Sequence, residues 1–80
     1  MSSTSTGPAL RVLREESGLT LREIAERAGV SESYLSRVEN EKAFPAPAWV
    51  GNVASAIAEA IVESALRDAA VREQKSARAA

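Results

Sequence analysis

Two of the side chains that carry much of enzyme chemistry are missing from this sequence. It contains no cysteine and no histidine, which excludes a thiol nucleophile, a disulfide framework, a zinc finger and an imidazole base. The adjacent acids Glu15 and Glu16 fall on a predicted helix surface without candidate partner residues, so we interpret them as solvated. We therefore expect no catalytic site, no metal and no cofactor, and the protein is not predicted to be an enzyme.

The N-terminal part of the sequence predicts a tail followed by one amphipathic helix. Residues 1–7 are mainly Ser and Thr without periodicity, which is typical of a disordered tail. A helix is expected to begin around Pro8, because proline suits a first helical turn, and to end at Gly18, which can adopt the left-handed C-cap conformation. The predicted inner face of this helix consists of Leu10, Leu13 and the alkyl part of Arg14.

Two short helices are predicted next, separated by a glycine turn. Thr20 and Glu23 have the spacing of a capping box, in which each side chain accepts a hydrogen bond from the other residue's backbone N–H. Gly29 interrupts the apolar pattern, and Ser31 is the predicted N-cap of a helix that ends near Asn40. The predicted core residues of the two helices are Ile24, Ala25, Ala28, Val30, Leu35 and Val38.

The second half of the chain predicts one long helix or two nearly coaxial ones. The segment 44–47 is a connector because each of its prolines disfavours helix in the preceding residue, and Pro47 is well placed to start a new helix. From Ala48 to about Ser76 apolar residues recur every four positions, at Val53, Ile57, Ile61, Ala65 and Ala69. The predicted fold class is therefore all-α, with four to five helices and a long C-terminal helix.

The segment Leu19–Asn40 combines a capping box, a small residue, a glycine turn, an apolar triplet and a trailing Glu-Asn in one register. In this combination it resembles the helix-turn-helix of the Cro/repressor-type (XRE-like) family of bacterial and phage transcription regulators. The resemblance extends over about residues 8–60. It implies a compact helix-turn-helix domain with a C-terminal dimerisation helix at residues 8–76, followed by a tail at residues 77–80.

The resemblance also implies that the second helix of the pair enters the DNA major groove, with its N-terminal residues at the base edges. Arg37 can bind guanine O6 and N7, and Glu32 can accept a hydrogen bond from cytosine N4. The alternative is that these residues are solvated positions on a helix surface. For Glu32, another alternative is that an acid near the phosphates serves only to reject wrong DNA sequences. The expected base contacts are Glu32, Ser33, Ser36 and Arg37.

Phosphate contacts are expected from the start of the first short helix and from both ends of the second. For Thr20 the alternative is a capping role alone, and the loop Ala43–Ala46 offers no basic residue, unlike many relatives. The resemblance further places Arg14 and Glu39 as an ion pair that ties helix 1 to the end of helix 3. The expected phosphate contacts are Thr20, Arg22, Ser31, Tyr34, Asn40 and Lys42.

The leading interpretation is that the protein is a repressor that binds a palindromic operator as a homodimer. One small helix-turn-helix buries too little surface to distinguish one DNA sequence from another. An apolar stripe that continues beyond the globular core needs a partner, and the flanking charges Glu63, Arg67, Asp68 and Arg72 can pair across such a seam. The alternative is that the stripe folds back on its own domain. The predicted dimer interface consists of Ile61, Val62, Ala65, Leu66 and Ala69.

The net charge of -1 works against phosphate binding, although total charge is a poor guide to one face of a protein. It supports a second interpretation, in which the same scaffold is a protein-interaction module, such as an antirepressor or antitoxin, whose C-terminal helix docks a partner. The sequence contains neither a secretory signal nor an apolar run long enough for a membrane span, so we expect a cytoplasmic location. The expected partners are double-stranded DNA and a second copy of the chain, without a membrane or a small-molecule ligand.

Overall fold

In the computed structural model, residues 5–79 are described and form α-helices joined by short turns. Within these residues no strand occurs. The elements are α1 (Thr6–Ser17), α2 (Leu21–Ala28), α3 (Glu32–Glu39) and α4 (Pro47–Ala79). The predicted all-α fold with a long C-terminal helix is confirmed, and the choice between one long helix and two coaxial ones is decided in favour of one.

Helix α1 begins two residues before Pro8 and turns a different face to the core than predicted. Residues 1–4 of the predicted tail lie outside the described residues, whereas Ser5 is the N-cap of α1 and Gly7 is buried in its first turn. Leu13 was expected to face inward and is 44% exposed. The core side of α1 is instead a stripe at helical spacing that consists of Gly7, Leu10, Arg14 and Ser17.

The predicted capping box and glycine turns set the bounds of α2. Thr20 N–H donates to Glu23 Oε1 at 2.9 Å, and Glu23 N–H donates to Thr20 Oγ1 at 3.1 Å. Gly18 ends α1 and Gly29 ends α2, both in the left-handed conformation with φ of 76° and 68°. These local signals fix the end of α1 and both ends of α2.

The core lies between α1, α2, α3 and the first half of α4, which packs mainly against α1 and α2. Helix α1 packs against α3 and α4, and α2 packs against the same two helices. This arrangement lets one apolar layer serve all four elements, since each helix buries a single stripe. The largest fully buried side chains are Ile24, Leu35, Val38, Val53 and Ile57.

The second half of α4 continues past this core without folding back. Every described side chain from Ala65 to Arg78 is exposed, and the helix ends at Ala79 rather than near Ser76. Its 33 residues make α4 about 50 Å long, close to the 53 Å longest dimension of the molecule. Despite this length α4 lacks the continuous apolar run of a membrane-spanning helix, as do the other helices between residues 5 and 79.

Candidate nucleic-acid interface

Helix α3 presents one face to solvent and the opposite face to the core. Glu32, Ser33 and Arg37 are exposed, as a surface that reads DNA bases requires. Ser36, predicted to point outward with them, is only half exposed. The opposite face is buried and consists of Leu35, Val38 and Glu39.

An ion pair fixes the position of α3 relative to α1. The guanidinium of Arg14 donates to Glu39 through Nε to Oε2 at 2.9 Å and through Nη2 to Oε1 at 3.0 Å. Its Nη1 also donates to the Leu19 carbonyl oxygen at 3.2 Å, so the same side chain holds the segment that leads into α2. The hydrogen bonds to Glu39 raise the pKa of Arg14 above its usual value, against the opposing effect of burial. The structure thus brings together the two residues that the sequence pointed to as a pair.

Tyr34 contributes to packing as well as to the exposed side of α3. Its ring meets the ring of Trp49 from α4 edge to face, with 5.2 Å between the centroids. Both residues are half-buried. Tyr34 therefore anchors α3 to α4, and only its remaining exposed part is available for the phosphate contact predicted from the sequence.

The hydroxyl groups at the starts of α2 and α3 are used as helix caps. Ser31 Oγ accepts a hydrogen bond from Tyr34 N–H at 3.1 Å, as Thr20 Oγ1 does from Glu23. Both residues are exposed, and the first backbone N–H groups of each helix, such as those of Arg22 and Ser33, have no partner within the helix. Arg22 lies in the first turn of α2 and pairs with Glu26 at 3.3 Å. Both of these side chains are exposed, so the pair contributes little to stability.

The turn after α3 is held by hydrogen bonds from predicted site residues. Asn40 Nδ2 donates to the Ser36 carbonyl oxygen at 2.8 Å and caps the end of the helix. Arg37 Nη2 donates to the Lys42 carbonyl oxygen at 3.4 Å, which is a long hydrogen bond that leaves the guanidinium free to bind elsewhere. Glu41 has a φ of 60°, an unusual value for a residue with a side chain. Phe44 in the following loop is 85% exposed.

Residues 7–62 match the helix-turn-helix domain family. The chain belongs to this family. The prediction of a helix-turn-helix family from residues 19–40 is thereby confirmed. Among curated relatives, the HTH-type transcriptional repressor RghR of Bacillus subtilis (strain 168) is 44% identical over 54 residues. The aligned region covers 66% of this chain but only 40% of the relative, and no solved structure gives a significant match.

Two contacts of this helix-turn-helix domain were not predicted from the sequence. Arg27 in α2 donates two hydrogen bonds to Glu63 in α4, from Nη1 to Oε2 at 3.1 Å and from Nη2 to Oε1 at 2.9 Å. Asn52 Nδ2 donates to the Ala28 carbonyl oxygen at 2.7 Å and so caps the end of α2. These partners are 36 and 24 residues apart in the chain, and no local pattern marks them.

The Arg27–Glu63 pair corrects the expectation that Glu63 binds a second copy across a helix seam. Its carboxylate is already bound within the same chain, because α2 ends against the middle of α4. The hydrogen bonds from Arg27 lower the pKa of Glu63 and raise the pKa of Arg27. The pair therefore extends the contact between the helix-turn-helix and α4 beyond the apolar core.

The five predicted dimer residues fall into two environments on α4. Ile61 is half-buried and packs against the core of its own chain, so it is not freely available to a partner. Val62 is 56% exposed and Leu66 is 65% exposed, and the flanking Ala65 and Ala69 are exposed as well. The available part of the predicted seam is therefore the face that carries these four residues.

Proposed function

We propose that this protein is a sequence-specific DNA-binding transcription regulator, a repressor that inserts the start of α3 into the major groove. The observation that carries the proposal is the division of α3 into an exposed polar face and a locked inner face. Glu32, Ser33 and Arg37 are exposed, while Glu39 on the same helix is held by Arg14. A helix fixed in this way can present side chains to base edges without first paying an ordering cost.

In this proposal each residue of the face has a chemical role. Arg37 forms a bidentate contact with guanine, Glu32 accepts from cytosine N4, and Ser33 and Ser36 contact bases or phosphates. The helix starts contribute N–H groups without a partner within the helix, which suit the negative charge of phosphate oxygens. The proposed phosphate contacts remain Thr20, Arg22, Ser31, Tyr34, Asn40 and Lys42, with the side chain of Asn40 occupied in the cap and that of Tyr34 partly buried.

We further propose that the protein acts as a cytoplasmic homodimer on a palindromic operator. One helix-turn-helix contacts few base pairs, whereas two copies roughly add their binding energies. The exposed Val62 and Leu66 on the free face of α4 support a second copy as the partner. The similarity to a relative named as a transcriptional repressor supports repression as the output, and promoter occupancy requires no further domain.

A second candidate function is a protein-interaction module, such as an antirepressor or antitoxin, in which α4 docks a different protein. The net charge of -1 and the absence of a basic residue in the loop 43–46 favour it. The two functions differ in their response to salt. DNA binding weakens steeply as salt rises because counterions are released, whereas an apolar helix interface is nearly insensitive.

Selection from a pool of randomised duplex DNA, followed by footprinting of the enriched sequence, tests the leading proposal. We expect an enriched motif with two inverted half-sites about one helical turn apart, since two copies of α3 must reach the same side of the duplex. Titration of the enriched duplex at several salt concentrations then gives the number of phosphate contacts. If no sequence is enriched and no duplex is bound at low salt, the DNA-binding proposal is wrong and the interaction module takes its place.

A further inference from the structure

Phe44 has the most exposed large apolar side chain in the part of the chain that the structure describes. It is 85% exposed, whereas the other exposed large apolar side chains range from 44% to 65%. A single exposed apolar residue is common on protein surfaces, so the position of this ring decides what it can contact. A partner that covers the ring removes apolar area from water and gains binding free energy.

The turn after α3 holds Phe44 outward on a restricted backbone. On either side of it, Ala43 and Pro45 are half-buried, and Ala43 packs against the core. Pro45 has a fixed φ of its own and disfavours helical backbone at Phe44, the residue that precedes it. The ring is thus displayed by a segment with few alternative conformations, so little ordering is required when a partner binds.

The same turn is joined to the exposed face of α3. Lys42 N–H donates to the Arg37 carbonyl oxygen at 2.7 Å, and Arg37 Nη2 donates to the Lys42 carbonyl oxygen at 3.4 Å. Two residues of chain span at most about 7 Å, so the Cα atoms of Lys42 and Phe44 lie no further apart than this. Phe44 therefore lies next to the proposed phosphate contact Lys42 and on the same turn that Arg37 holds.

The charge of this turn gives it little attraction for phosphate groups. Residues 40–46 carry one acid, Glu41, and one base, Lys42, so their net charge is zero. The DNA backbone presents two kinds of surface, the charged phosphates and the apolar carbon atoms of the deoxyriboses, and proteins contact both. An aromatic ring suits the second kind, because it has apolar area to bury and no charge to pair.

From these observations we infer that Phe44 packs against a deoxyribose of the DNA strand whose phosphate is bound by Lys42. This inference rests on the proposed DNA-binding function and adds to it a contact that does not depend on charge. Because every nucleotide of DNA carries the same sugar, the contact strengthens binding to all sequences alike. It releases no counterions, so it persists at higher salt, where phosphate contacts weaken.

Equilibrium binding of Phe44→Ala to the operator and to a random duplex, measured by fluorescence anisotropy at several salt concentrations, tests the inference. We expect the affinity for both duplexes to fall about tenfold, with the salt slope unchanged. The control is Val12→Ala, which removes an exposed apolar side chain from the side of α1 opposite Leu10 and should leave both affinities unchanged. Since neither Phe44 nor Val12 is buried, both variants should keep the wild-type Tm.

A charge introduced at the same position provides a second test. Phe44→Lys loses the sugar contact but places an ammonium group beside the phosphates. Its affinity should therefore exceed that of Phe44→Ala at low salt and converge with it at high salt, and its salt slope should be steeper than that of the wild type by about one unit. An unchanged slope would show that position 44 does not lie at the DNA backbone and would overturn the inference.

Hydroxyl-radical footprinting examines the sugar contact directly, because these radicals cleave DNA by attacking exposed deoxyriboses. With DNA saturated by protein, replacement of the wild type by Phe44→Ala should expose one further sugar for each bound copy of the chain. Identical footprints of the two proteins would overturn the inference.

Three further results would contradict the sugar contact. A loss of affinity confined to the operator would indicate a base contact, and a loss of the dimer in sedimentation would place Phe44 against a second copy. Unchanged affinity of Phe44→Ala for both duplexes would overturn the inference while leaving the proposed function intact. A wild-type protein that binds no duplex at low salt would instead overturn the proposed function, and this inference with it.

Discussion

Arg14 in α1 and Glu39 at the end of α3 form a two-point ion pair whose side chains are only 13% and 3% exposed. Removal of one partner leaves the other charge buried without compensation, which costs far more than the loss of an exposed pair. We expect Glu39→Ala to lower the free energy of unfolding by about 2–3 kcal/mol in chemical denaturation. Arg11→Ala breaks the exposed Arg11–Glu15 pair and serves as the control, with an expected change of at most about 0.5 kcal/mol. Equal effects of the two substitutions would contradict the structural role of Glu39.

Arg37 and Lys42 are predicted to differ in how they contribute to DNA binding. Arg37→Ala should cost about 1–3 kcal/mol in affinity for the operator and little in affinity for random DNA, since it removes a base contact. Lys42→Ala should weaken binding to every sequence and reduce the salt slope by about one unit, since it removes a phosphate contact. Fluorescence anisotropy on both duplexes measures these effects. A wild-type protein that binds operator and random DNA equally would rule out base readout by Arg37.

Leu66→Glu is predicted to convert the dimer into a folded monomer. A carboxylate at this position would be buried in the helix seam, while the free monomer tolerates it because Leu66 is already 65% exposed. Sedimentation should show the monomer, and operator affinity should fall because only one half-site is then bound at a time. Val12→Glu, on an exposed position of α1, is the control and should leave the dimer intact. An unchanged dimer in the Leu66 variant would place the interface elsewhere.

Gly7 and Gly51 are predicted to respond to alanine with opposite signs. A Cβ at Gly7 would overlap the carbonyl oxygen of Val38, so Gly7→Ala must push α1 away from α3 and should destabilise the fold by about 2 kcal/mol. Gly51 lies in a helix with open space around it, and Gly51→Ala should stabilise the fold by about 0.5–1 kcal/mol. Urea denaturation of both variants checks the signs, and a neutral Gly7→Ala would show that α1 does not sit this close to α3.

The pair of Arg27 and Glu63 predicts a pH dependence of stability. The pKa of Glu63 is lowered in the folded state, so its contribution is complete above the unfolded pKa of about 4.3 and disappears as the pH falls through the lower folded value. Glu63→Gln should therefore lower Tm at neutral pH, and the difference from wild type should shrink in acid. Glu16→Gln, which removes an exposed acid on α1, is the control with little expected effect at either pH. A Tm difference that stays constant through the acid range would exclude the charge of Glu63 as its cause.

The features that the sequence predicted correctly are those set by local chemistry. The capping box at Thr20 and the C-caps at Gly18 and Gly29 depend on residues at most four positions apart, and the structure has them in place. The inner face of α1 depends on which stripe can approach α3 most closely. Gly7 allows that approach because it has no side chain. The helix therefore turns Gly7 inward and Leu13 outward, although leucine is more apolar than glycine.

The candidate interface likewise has some features that the local sequence sets and others that depend on contacts between distant parts of the chain. The exposed positions on α3 follow from the spacing of its apolar residues Leu35 and Val38, which face the core and leave the other side of the helix to solvent. The contact of Tyr34 with Trp49 and the binding of Glu63 by Arg27 join residues that are far apart in the chain. Their distances are set by how α4 crosses α2 and α3, and helical periodicity alone does not determine that crossing.

Trp49 is the single tryptophan of the chain, and its ring contacts Tyr34 on the helix proposed to read DNA. Its fluorescence emission therefore comes from one site and depends on how α3 is seated against α4. Unfolding exposes the indole to water, which shifts its emission to longer wavelength, whereas a displacement of α3 on DNA would alter the intensity at nearly constant wavelength. The protein thus carries an intrinsic optical reporter that distinguishes these two events without an added label.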